Sequence, residues 1–420
     1  MRFRFLFCLI PVILISCASR PAVPAEDPLI AAEGTAAAAP ASSDKPASSG
    51  TAADKAKTAS TKVPFAKAPP TDTASAAVIK EKTEKYSLSL IAAGDNLFHD
   101  SLINSHKTPE GTYDFSSIYT EVKPIVQKAD LAFINQETVM AGSSYGYSGY
   151  PAFNTPQSLA YTHADTGFDI VNIANNHAMD KGAAGLISTL DFLDTIEAFT
   201  VIGARKEGKS ARMITKNNIT LGLLSYTHSL NGIPLPKDQP DLVSMIDKNK
   251  MTQEINELRP LCDFLVVSMH WGAEYLLEPD SSQIEIAEFL ALHNVDLIIG
   301  HHPHVLQRAD KLPRPDGKET YVIYSLGNFA SHQRERERVI GGMLVVTFEK
   351  EEEKLSISDF GLLPVITHYN RSFQSTKIYP LYAYTEEFIE EHGLRNLSMD
   401  FFNNVTKRLN IDIIMQDPFN

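Results

Sequence analysis

The sequence predicts an α/β protein, in which strands covered on both faces alternate with helices. Apolar runs of four to seven residues recur at helix-length intervals from about residue 86 onward, rich in Leu, Ile, Val and Phe and without strict alternation. Strands buried on both faces have this composition. Between the runs lie segments whose apolar residues recur every three or four positions, as on a helix face. Alternation of strands and helices is typical of an α/β sheet.

The first 17 residues have the pattern of a secretory signal. Arg2 and Arg4 precede an apolar stretch at 5–15 that is too short to span a bilayer as a mature helix. The stretch that ends in Cys17 resembles the bacterial lipoprotein cleavage box, in which the cysteine is acylated and becomes the first residue. An ordinary signal peptide with a chance cysteine is the alternative. We expect a secreted protein of the cell envelope, anchored to a bacterial membrane by a lipid on Cys17.

Residues 18–84 consist mostly of Ala, Pro, Ser, Thr and Lys, a composition that cannot bury a core. We expect a disordered tether there, followed by a folded domain at 85–370 and a partly helical C-terminal extension at 371–420. With Cys17 acylated and the signal removed, only Cys262 remains, so no internal disulfide is expected. The net charge of −13, which falls to −15 when the two signal arginines are removed, argues against a nucleic-acid partner.

Five apolar runs end in, or contain, side chains that bind metals or move protons. Ligands of open α/β sheets bind beyond the carboxyl ends of the strands. We therefore expect these side chains, together with Asn176 and His304, to converge on one cleft. The runs are SLSLIAAGD ending at Asp95, ADLAFINQE ending at Glu137, FDIVNIANNH ending at His177, DFLVVSMHWG containing His270, and NVDLIIGHH ending at His302.

The remaining elements complete the predicted domain. Helices are predicted at 183–196 and 281–294, where apolar residues share one face. The C-terminal residues from about 375 are predicted to be partly helical and carry no site signal. Three later runs, at 320–329, 341–350 and 354–367, are predicted to be strands.

The strand-end residues form a donor set suited to divalent cations, because carboxylate, amide oxygen and imidazole bind Mn, Fe or Zn without a thiolate. Taken singly, each has a plainer interpretation: an aspartate after a strand is often a helix cap, and a lone histidine is often part of the core. Three histidines within GHHPH (300–304) are harder to explain structurally. The candidate ligands are Asp95, Glu137, Asn176, His270, His302 and His304.

Taken together, these motifs resemble the CapA family, named for poly-γ-glutamate capsule synthesis, within the calcineurin-like metallophosphoesterase superfamily. The resemblance runs from about Leu88 to about Thr367. It implies a four-layer α/β/β/α sandwich with metals at the strand ends. It is carried, in family order, by AAGDNLF, INQET, FDIVNIANNHAMDKG, SMHWGAEY, IIGHHPHVLQ and YSLGNF.

The resemblance also implies a role for each motif residue. His177 matches the group that protonates or stabilises the leaving oxygen, and Asp180 either orients the His177 ring or caps the next helix. If the site is catalytic, a metal-bound hydroxide attacks phosphorus in line. The implied metal ligands are Asp95 as the first aspartate, Glu137 as the bridging carboxylate, Asn176 as the amide, His270 as the isolated histidine, and His302 and His304 as the closing pair.

Two positions depart from the superfamily's pattern. Its first motif is usually Asp-x-His, but Leu97 stands where the histidine is expected. The second cation therefore lacks a ligand unless His99 or water replaces it. The bridging position holds Glu137 rather than an aspartate. We expect one or two divalent ions, Mn, Fe or Zn, with one strong site and one weak site.

Several other residues are candidates for the substrate cleft or for the shell around the metals. The arginines of HQRERERV (332–339) form either a solvated loop or an anion clamp at the cleft rim. GSSYGYSGYP (142–151) is either a lid that binds carbohydrate or peptide or a plain loop. The single candidates are Glu274 and Tyr275, as cleft lining or packing, His301, as a second-shell residue behind the ligands, and Asn328, as a cleft or turn residue.

Two functional classes follow from this interpretation. The first is a metal-dependent phosphoesterase that acts on an envelope phosphoester, in capsule or poly-γ-glutamate biosynthesis. The second is a non-hydrolytic envelope factor whose metal cleft binds, or helps to export, an anionic polymer. The missing histidine at Leu97 favours the second class, and the complete set around His177 favours the first.

Overall fold

The computed structural model describes residues 84–208 and 211–420. The predicted signal at 1–17 and all but the last residue of the predicted tether lie outside the described residues. The strands are β1 (Lys85–Leu97), β2 (Leu131–Gln136), β3 (Ile170–Asn172), β4 (Thr200–Ile202), β5 (Arg212–Lys216), β6 (Ile219–Thr227), β7 (Phe264–His270), β8 (Leu297–His301), β9 (Leu306–Pro313), β10 (Glu319–Leu326), β11 (Asn328–Ser331), β12 (Ile340–Glu351), β13 (Lys354–His368), β14 (Lys377–Pro380) and β15 (Asp412–Ile413). The helices are α1 (Asp100–Ser105), α2 (Lys123–Val126), α3 (Ser158–Thr166), α4 (Gly182–Leu193), α5 (Lys248–Leu258), α6 (Ser281–Leu292), α7 (Glu386–Glu391) and α8 (Met399–Lys407).

These strands form two mixed sheets. The first has the order β14-β13-β12-β1-β2-β3-β4, with β11 paired to β1 and β15 paired to β13. The second has the order β5-β6-β7-β8-β10-β9. In the first sheet the pairs from β1 to β4 are parallel, and β12, β13 and β14 continue from β1 through antiparallel pairs. In the second sheet the pairs from β6 through β7 and β8 to β10 are parallel, and β5 and β9 pair antiparallel at the two edges.

The two sheets pack face to face, and helices cover the outer face of each. Alternation along β1 shows the arrangement, since Leu88, Leu90 and Ala92 lie in the core between the sheets, while Ile91 and Ala93 pack on the opposite side. That opposite side carries the buried apolar residues of α3 and α4. The outer face of the second sheet packs against α5 and α6. The predicted α/β class and the four-layer sandwich are confirmed.

Local sequence explains where helix α6 begins. Asp280 caps α6, accepting the backbone N–H groups of Ser282 and Gln283, and the Gln283 side chain accepts the backbone N–H of Asp280 in return. This is a capping box, which satisfies N–H groups that a helix start leaves without partners. Helix α4 ends at Leu193, three residues before the predicted end, and α6 ends at Leu292, two residues before its predicted end.

The run FDIVNIANNH differs most from its prediction. Strand β3 ends at Asn172, and residues 173–181 form turns rather than more strand. Asn176 and His177 therefore follow β3 on a loop that leads into α4.

The C-terminal residues pack on the fold. Phe402 and Leu409 are buried in the core between the sheets, and the backbone N–H of Ala309 donates to the Leu409 carbonyl at 2.6 Å.

Candidate metal centre

Asp95 lies near the carboxyl end of β1 and is fully buried. Its Oδ2 accepts the backbone N–H of His302 at 3.2 Å and lies 3.1 Å from Nδ1 of His304. Its Oδ1 accepts the side-chain N–H of Asn135 at 2.8 Å. Asp95, on the first sheet, thus contacts a histidine-rich turn that follows β8 of the second sheet.

Glu137 directly follows β2 and has no exposed surface. Its Oε1 lies 3.5 Å from Nε2 of His270 and 3.6 Å from Nε2 of His304. Among the described residues, neither oxygen of Glu137 has a hydrogen-bond donor. An ionised carboxylate buried without a donor carries a large desolvation cost, so this position requires a cation or a proton.

His270, the last residue of β7, lies at the centre of a second group of donors. Its Nε2 lies 2.8 Å from Oδ1 of Asn176 and 3.1 Å from Nδ1 of His302. All three side chains are buried. The loop after β3 thus brings an amide oxygen to the imidazoles of the second sheet.

The turn after β8 has a conformation that few side chains adopt freely. His302 and His304 both have positive φ, 97° and 59°. Just before them, a Cβ on Gly300 would lie 1.9 Å from the carbonyl oxygen of Tyr324, so only glycine lets β8 approach β10 this closely. This strained backbone directs both imidazoles toward Asp95 and Glu137.

The two buried carboxyl groups are shifted in opposite directions. Burial would raise the pKa of Asp95, but the adjacent His301 and His304 imidazoles outweigh it and hold the pKa well below its usual range. Burial, followed by the negative charges of Asp95, Glu274 and Asp180, raises the pKa of Glu137 well above its usual range. Burial also lowers the pKa of His270, and it lowers the pKa of His302 to about 2. The rings of His270 and His302 are therefore neutral and free to act as ligands.

These donors fit divalent cations. One donor atom each from Glu137, His302 and His304 lies within 4.8 Å of the others, and the same holds for Asp95, Glu137 and His270. Glu137 belongs to both groups, and its oxygens are the buried atoms without partners. Oxygen and imidazole donors around an unpaired carboxylate match the preferences of Mn, Fe and Zn.

His177 and Asp180 lie beside this cluster. The His177 Nδ1 lies 2.9 Å from Oδ2 of Asp180, and both residues line a cleft of about 430 Å³. Helix α4 has Lys181 at its N-cap with no side-chain cap bond, so Asp180 contacts the imidazole and does not cap the helix. Asn176, Glu274 and the exposed Tyr150 line the same cleft. Tyr150 belongs to the segment 142–151.

The other sequence candidates lie around the cluster. His301 is fully buried, with Nδ1 3.2 Å from Oδ1 of Asp95 and its ring stacked on Phe133. Tyr275 lies over His304, with ring centroids 6.0 Å apart. Asn328 is buried, and its Nδ2 lies 3.3 Å from the carbonyl oxygen of His304. Each therefore contacts a candidate ligand, Asn328 through the backbone of His304.

Leu97 occupies the position of the histidine missing from the first motif, and His99 is its possible replacement. Leu97 is buried at the end of β1. His99 packs edge-on against Phe153, with ring centroids 5.6 Å apart, and belongs to neither group of ligand atoms. The structure does not bring His99 into the donor set in place of Leu97.

Sequence reasoning missed a buried amide relay behind Asp95. Asn172 donates to the side-chain oxygen of Asn135 at 2.8 Å, and Asn135 donates to Asp95 at 2.8 Å. Ser225, on β6 of the second sheet, donates to Asn172 at 2.6 Å. Both asparagines lie in otherwise apolar strands. A polar residue in a strand buried on both faces needs a hydrogen-bond partner, and this could have indicated the relay from the sequence.

Asn231 and His228 were also missed. Asn231 accepts the side-chain N–H of Asn176 at 3.2 Å and has its Nδ2 3.4 Å from Nδ1 of His177. The His228 ring lies 4.6 Å from the His302 ring, centroid to centroid. Both residues follow β6, where the sequence shows no run of donors that would have indicated a site.

Comparison with known proteins identifies relatives of this chain. A family model described as bacterial capsule synthesis protein PGA_cap matches residues 89–333. The PGA biosynthesis protein CapA of Bacillus subtilis (strain 168) is 32% identical over 225 residues, 52% of this chain and 57% of that protein. The capsule biosynthesis protein CapA of Bacillus anthracis is 33% identical over 182 residues, 40% of this chain and 41% of that protein. The chain thus matches about half the length of each relative.

Several solved structures also align with the chain. The NAD nucleotidase NadN of Haemophilus influenzae aligns with a TM-score of 0.44 at 15% identity, covering 77% of this chain and 67% of that one. The calcineurin-like phosphoesterase YfkN of Bacillus subtilis aligns with a TM-score of 0.39 at 12% identity, covering 67% of this chain and 91% of that one.

Proposed function

The chain belongs to the bacterial capsule synthesis protein PGA_cap family, and from that premise we propose that it acts in capsule or poly-γ-glutamate biosynthesis by hydrolysing a phosphoester at the metal centre. The observation that carries the hydrolytic assignment is the placement of His177. Its imidazole is held by Asp180 in a cleft next to the candidate metal ligands, among which the Glu137 carboxylate has no described hydrogen-bond donor.

The cluster provides two overlapping sets of ligands that share Glu137. Divalent cations held there supply positive charge that stabilises a phosphoryl oxygen and lowers the pKa of water. Asn135 and the backbone N–H of His302 hold the Asp95 carboxylate in place through hydrogen bonds of 2.8 and 3.2 Å. The two sets are Asp95, Glu137 and His270, and Glu137, His302 and His304, with Oδ1 of Asn176 2.8 Å from Nε2 of His270.

His177 has the position of a proton donor. Its Nδ1 is engaged by Asp180, which leaves Nε2 as the ring nitrogen that can give a proton to a leaving oxygen in the cleft. Asp180 is itself fixed, because its Oδ2 also accepts the backbone N–H of Phe153 at 2.7 Å. Fixing the ring in this way lowers the entropy lost when the leaving group aligns with Nε2.

The test is hydrolysis of bis(p-nitrophenyl) phosphate by the full chain loaded with Mn²⁺. We expect His177→Ala to lower kcat by roughly 100-fold or more while the bound metal is retained. His302→Ala should lose both metal and activity. Met213→Ala, on β5 and 51% exposed, is the surface control and should leave kcat unchanged. Equal rates for wild type and His177→Ala would overturn the hydrolytic assignment.

One observation favours a second candidate, a non-hydrolytic factor that binds or exports an anionic polymer. Leu97 stands where the superfamily pattern has a histidine, so the ligand set that contains Asp95 has one metal donor fewer. A weakly held cation suits binding of an anionic polymer better than cleavage of a phosphoester. Under this candidate, binding of poly-γ-glutamate survives His177→Ala and is lost in His302→Ala, with no hydrolysis by either protein.

The cell envelope is the proposed location, in keeping with the names of the Bacillus relatives. The proposed anchor is a lipid on Cys17, which lies outside the described residues. No helix within 84–208 and 211–420 has the length and apolarity needed to cross a membrane. Labelling cells with an alkyne fatty acid should tag the wild-type chain and not Cys17→Ala. Equal labelling of both would contradict the anchor.

A further inference from the structure

Arg338 differs from the other arginines in its loop. Arg334 and Arg336 are exposed and lie over the rings of Phe373 and Phe401 at 4.5 and 4.6 Å. Arg336 also lies 2.9 Å from the Glu337 carboxylate. Arg338 is half-buried, and its Cζ lies 3.4 Å from the centroid of the Tyr275 ring. No described carboxylate lies within ion-pair distance of Arg338, so its charge is partly desolvated without a counter-ion.

The position of Arg338 is fixed relative to the metal centre by two routes. Its carbonyl oxygen accepts Nδ2 of Asn328 at 2.9 Å, and the same Nδ2 lies 3.3 Å from the carbonyl oxygen of His304. Tyr275, beneath the guanidinium, has its backbone N–H bound to the carbonyl of Pro303 at 2.8 Å. Both supports of Arg338 are therefore tied to the turn that carries the candidate ligands His302 and His304.

Stacking leaves the guanidinium able to bind an anion. A guanidinium that lies flat on a ring keeps its N–H groups in its own plane, where they can form a bidentate contact with a carboxylate or phosphate. The Tyr275 ring contacts both Arg338 and His304, and Tyr275 is 39% exposed. An anion at Arg338 would therefore lie beside the metal centre and outside it. Glu274, next to Tyr275, lines the cleft and repels an anion that approaches from that side.

We propose that Arg338, stacked on Tyr275, binds a second oxyanion of the same ligand whose first oxyanion enters the metal centre. The ligand is then a linear polyanion with repeated charged groups, and a small monoanion does not use the site. The inference rests on the proposed function in taking the metal centre as the site of the first anion, but it does not require hydrolysis.

Direct binding to the Mn²⁺-loaded full chain tests the proposal without any turnover. Three ligands are compared by calorimetry: inorganic phosphate, a γ-linked pentaglutamate, and the same peptide with its α-carboxylates converted to amides. The variants are Arg338→Gln, Arg338→Lys and, as the matched control from the same loop, Arg336→Gln. A short phosphodiester-linked oligomer of glycerol phosphate shows whether the second oxyanion is a carboxylate or a phosphate.

We expect Arg338→Gln to weaken binding of the pentaglutamate, or of the phosphodiester oligomer, by about tenfold, the loss typical of a charge-assisted contact. Phosphate binding should be unchanged, and Arg336→Gln should match wild type for every ligand. Arg338→Lys keeps the charge and should bind the polyanions more tightly than Arg338→Gln does. This comparison shows that the loss in Arg338→Gln comes from the charge and not from a disrupted loop. Equal affinity of wild type and Arg338→Gln for both polyanions overturns the proposal, as does an equal loss for phosphate. If the wild-type chain and the variants bind as expected but the wild-type chain hydrolyses no phosphoester, the Arg338 proposal is supported and only the hydrolytic assignment fails.

Discussion

The Nδ1 atom of His177 lies 2.9 Å from Oδ2 of Asp180, and that same oxygen accepts the backbone N–H of Phe153 at 2.7 Å. One carboxylate thus fixes the orientation of the imidazole and joins it to the segment that carries Tyr150 at the cleft. Because the side chains of His177 and Asp180 are only 6% and 3% exposed, the imidazole has little freedom to turn. Asp180 is therefore a positioning residue for His177.

Replacing Asp180 should impair turnover more than binding. Asp180→Asn keeps an oxygen that can accept from Phe153 but removes the charge beside His177, so we expect kcat to fall by roughly 10- to 100-fold. KM and the metal content should stay near wild type, because Asp180 belongs to neither group of ligand atoms. Steady-state kinetics with elemental analysis measures both. A rise in KM at constant kcat would contradict this role.

Metal binding should release a proton from Glu137. Burial, followed by the negative charge of Asp95, raises the pKa of Glu137 well above its usual range, so we expect the metal-free protein to keep a proton there to a higher pH than an ordinary glutamate does. Asp95 is already ionised, since its pKa is lowered, and the lowered pKa values of His270 and His302 keep both rings neutral. A cation displaces the Glu137 proton, so metal affinity should increase with pH until the pKa of Glu137 in the metal-free protein is passed.

Titration calorimetry in buffers of different ionisation enthalpy measures how many protons are released when the metal binds. At pH 7 the wild-type chain should release about one more proton per binding event than Glu137→Gln, which has none to lose at that position. Any proton released from bound water is common to both proteins and cancels in the difference. Equal proton release by the two proteins would show that Glu137 is ionised before the metal binds.

The sequence indicated which side chains come together better than it indicated which residues support them. Residues such as Asp95, Glu137 and His270 follow or end apolar runs, and the carboxyl ends of parallel strands gather at one edge, so their convergence could be inferred. Which nitrogen meets which oxygen depends on strand register and on how two sheets face each other. Asn135 reaches Asp95 because the two residues are paired between β1 and β2. Periodicity alone carries no information on that pairing.

Turns and short strands were the weakest part of the prediction. The run that ends at His177 is continuous in composition, yet β3 stops at Asn172, whose side chain bonds to the backbone N–H of Ala174 at 3.2 Å. Local side-chain to backbone bonds of this kind compete with strand pairing. Arg338 illustrates a different limit, since an arginine in a charged loop appears solvated until the fold places Tyr275 beneath it.

The amide relay should contribute both stability and metal affinity. Asn172→Ala leaves Oδ1 of Asn135 and the hydroxyl of Ser225 without their partner, which should lower the free energy of unfolding by about 1–3 kcal/mol. Metal affinity should fall roughly tenfold, because Asn135 no longer holds Asp95 rigidly. Urea unfolding with chelator and metal titration measure the two effects. The exposed Asn249→Ala should change neither, and equal behaviour of the two variants would contradict the relay.

Leu97 provides a test of the weaker cation site. Leu97 follows Asp95 by two residues near the carboxyl end of β1, at the position of the histidine missing from the first motif, and the register of β1 is irregular between Asp95 and Asn96. An imidazole there offers a nitrogen donor to the set of Asp95, Glu137 and His270, and Leu97→His should raise metal content toward a second ion per chain. Leu97→Met, a swap of similar volume, is the matched control and should bind metal as wild type does. Elemental analysis after gel filtration gives the stoichiometry. If Leu97→His stays folded but retains no more metal than Leu97→Met, then a missing histidine at this position does not limit occupancy.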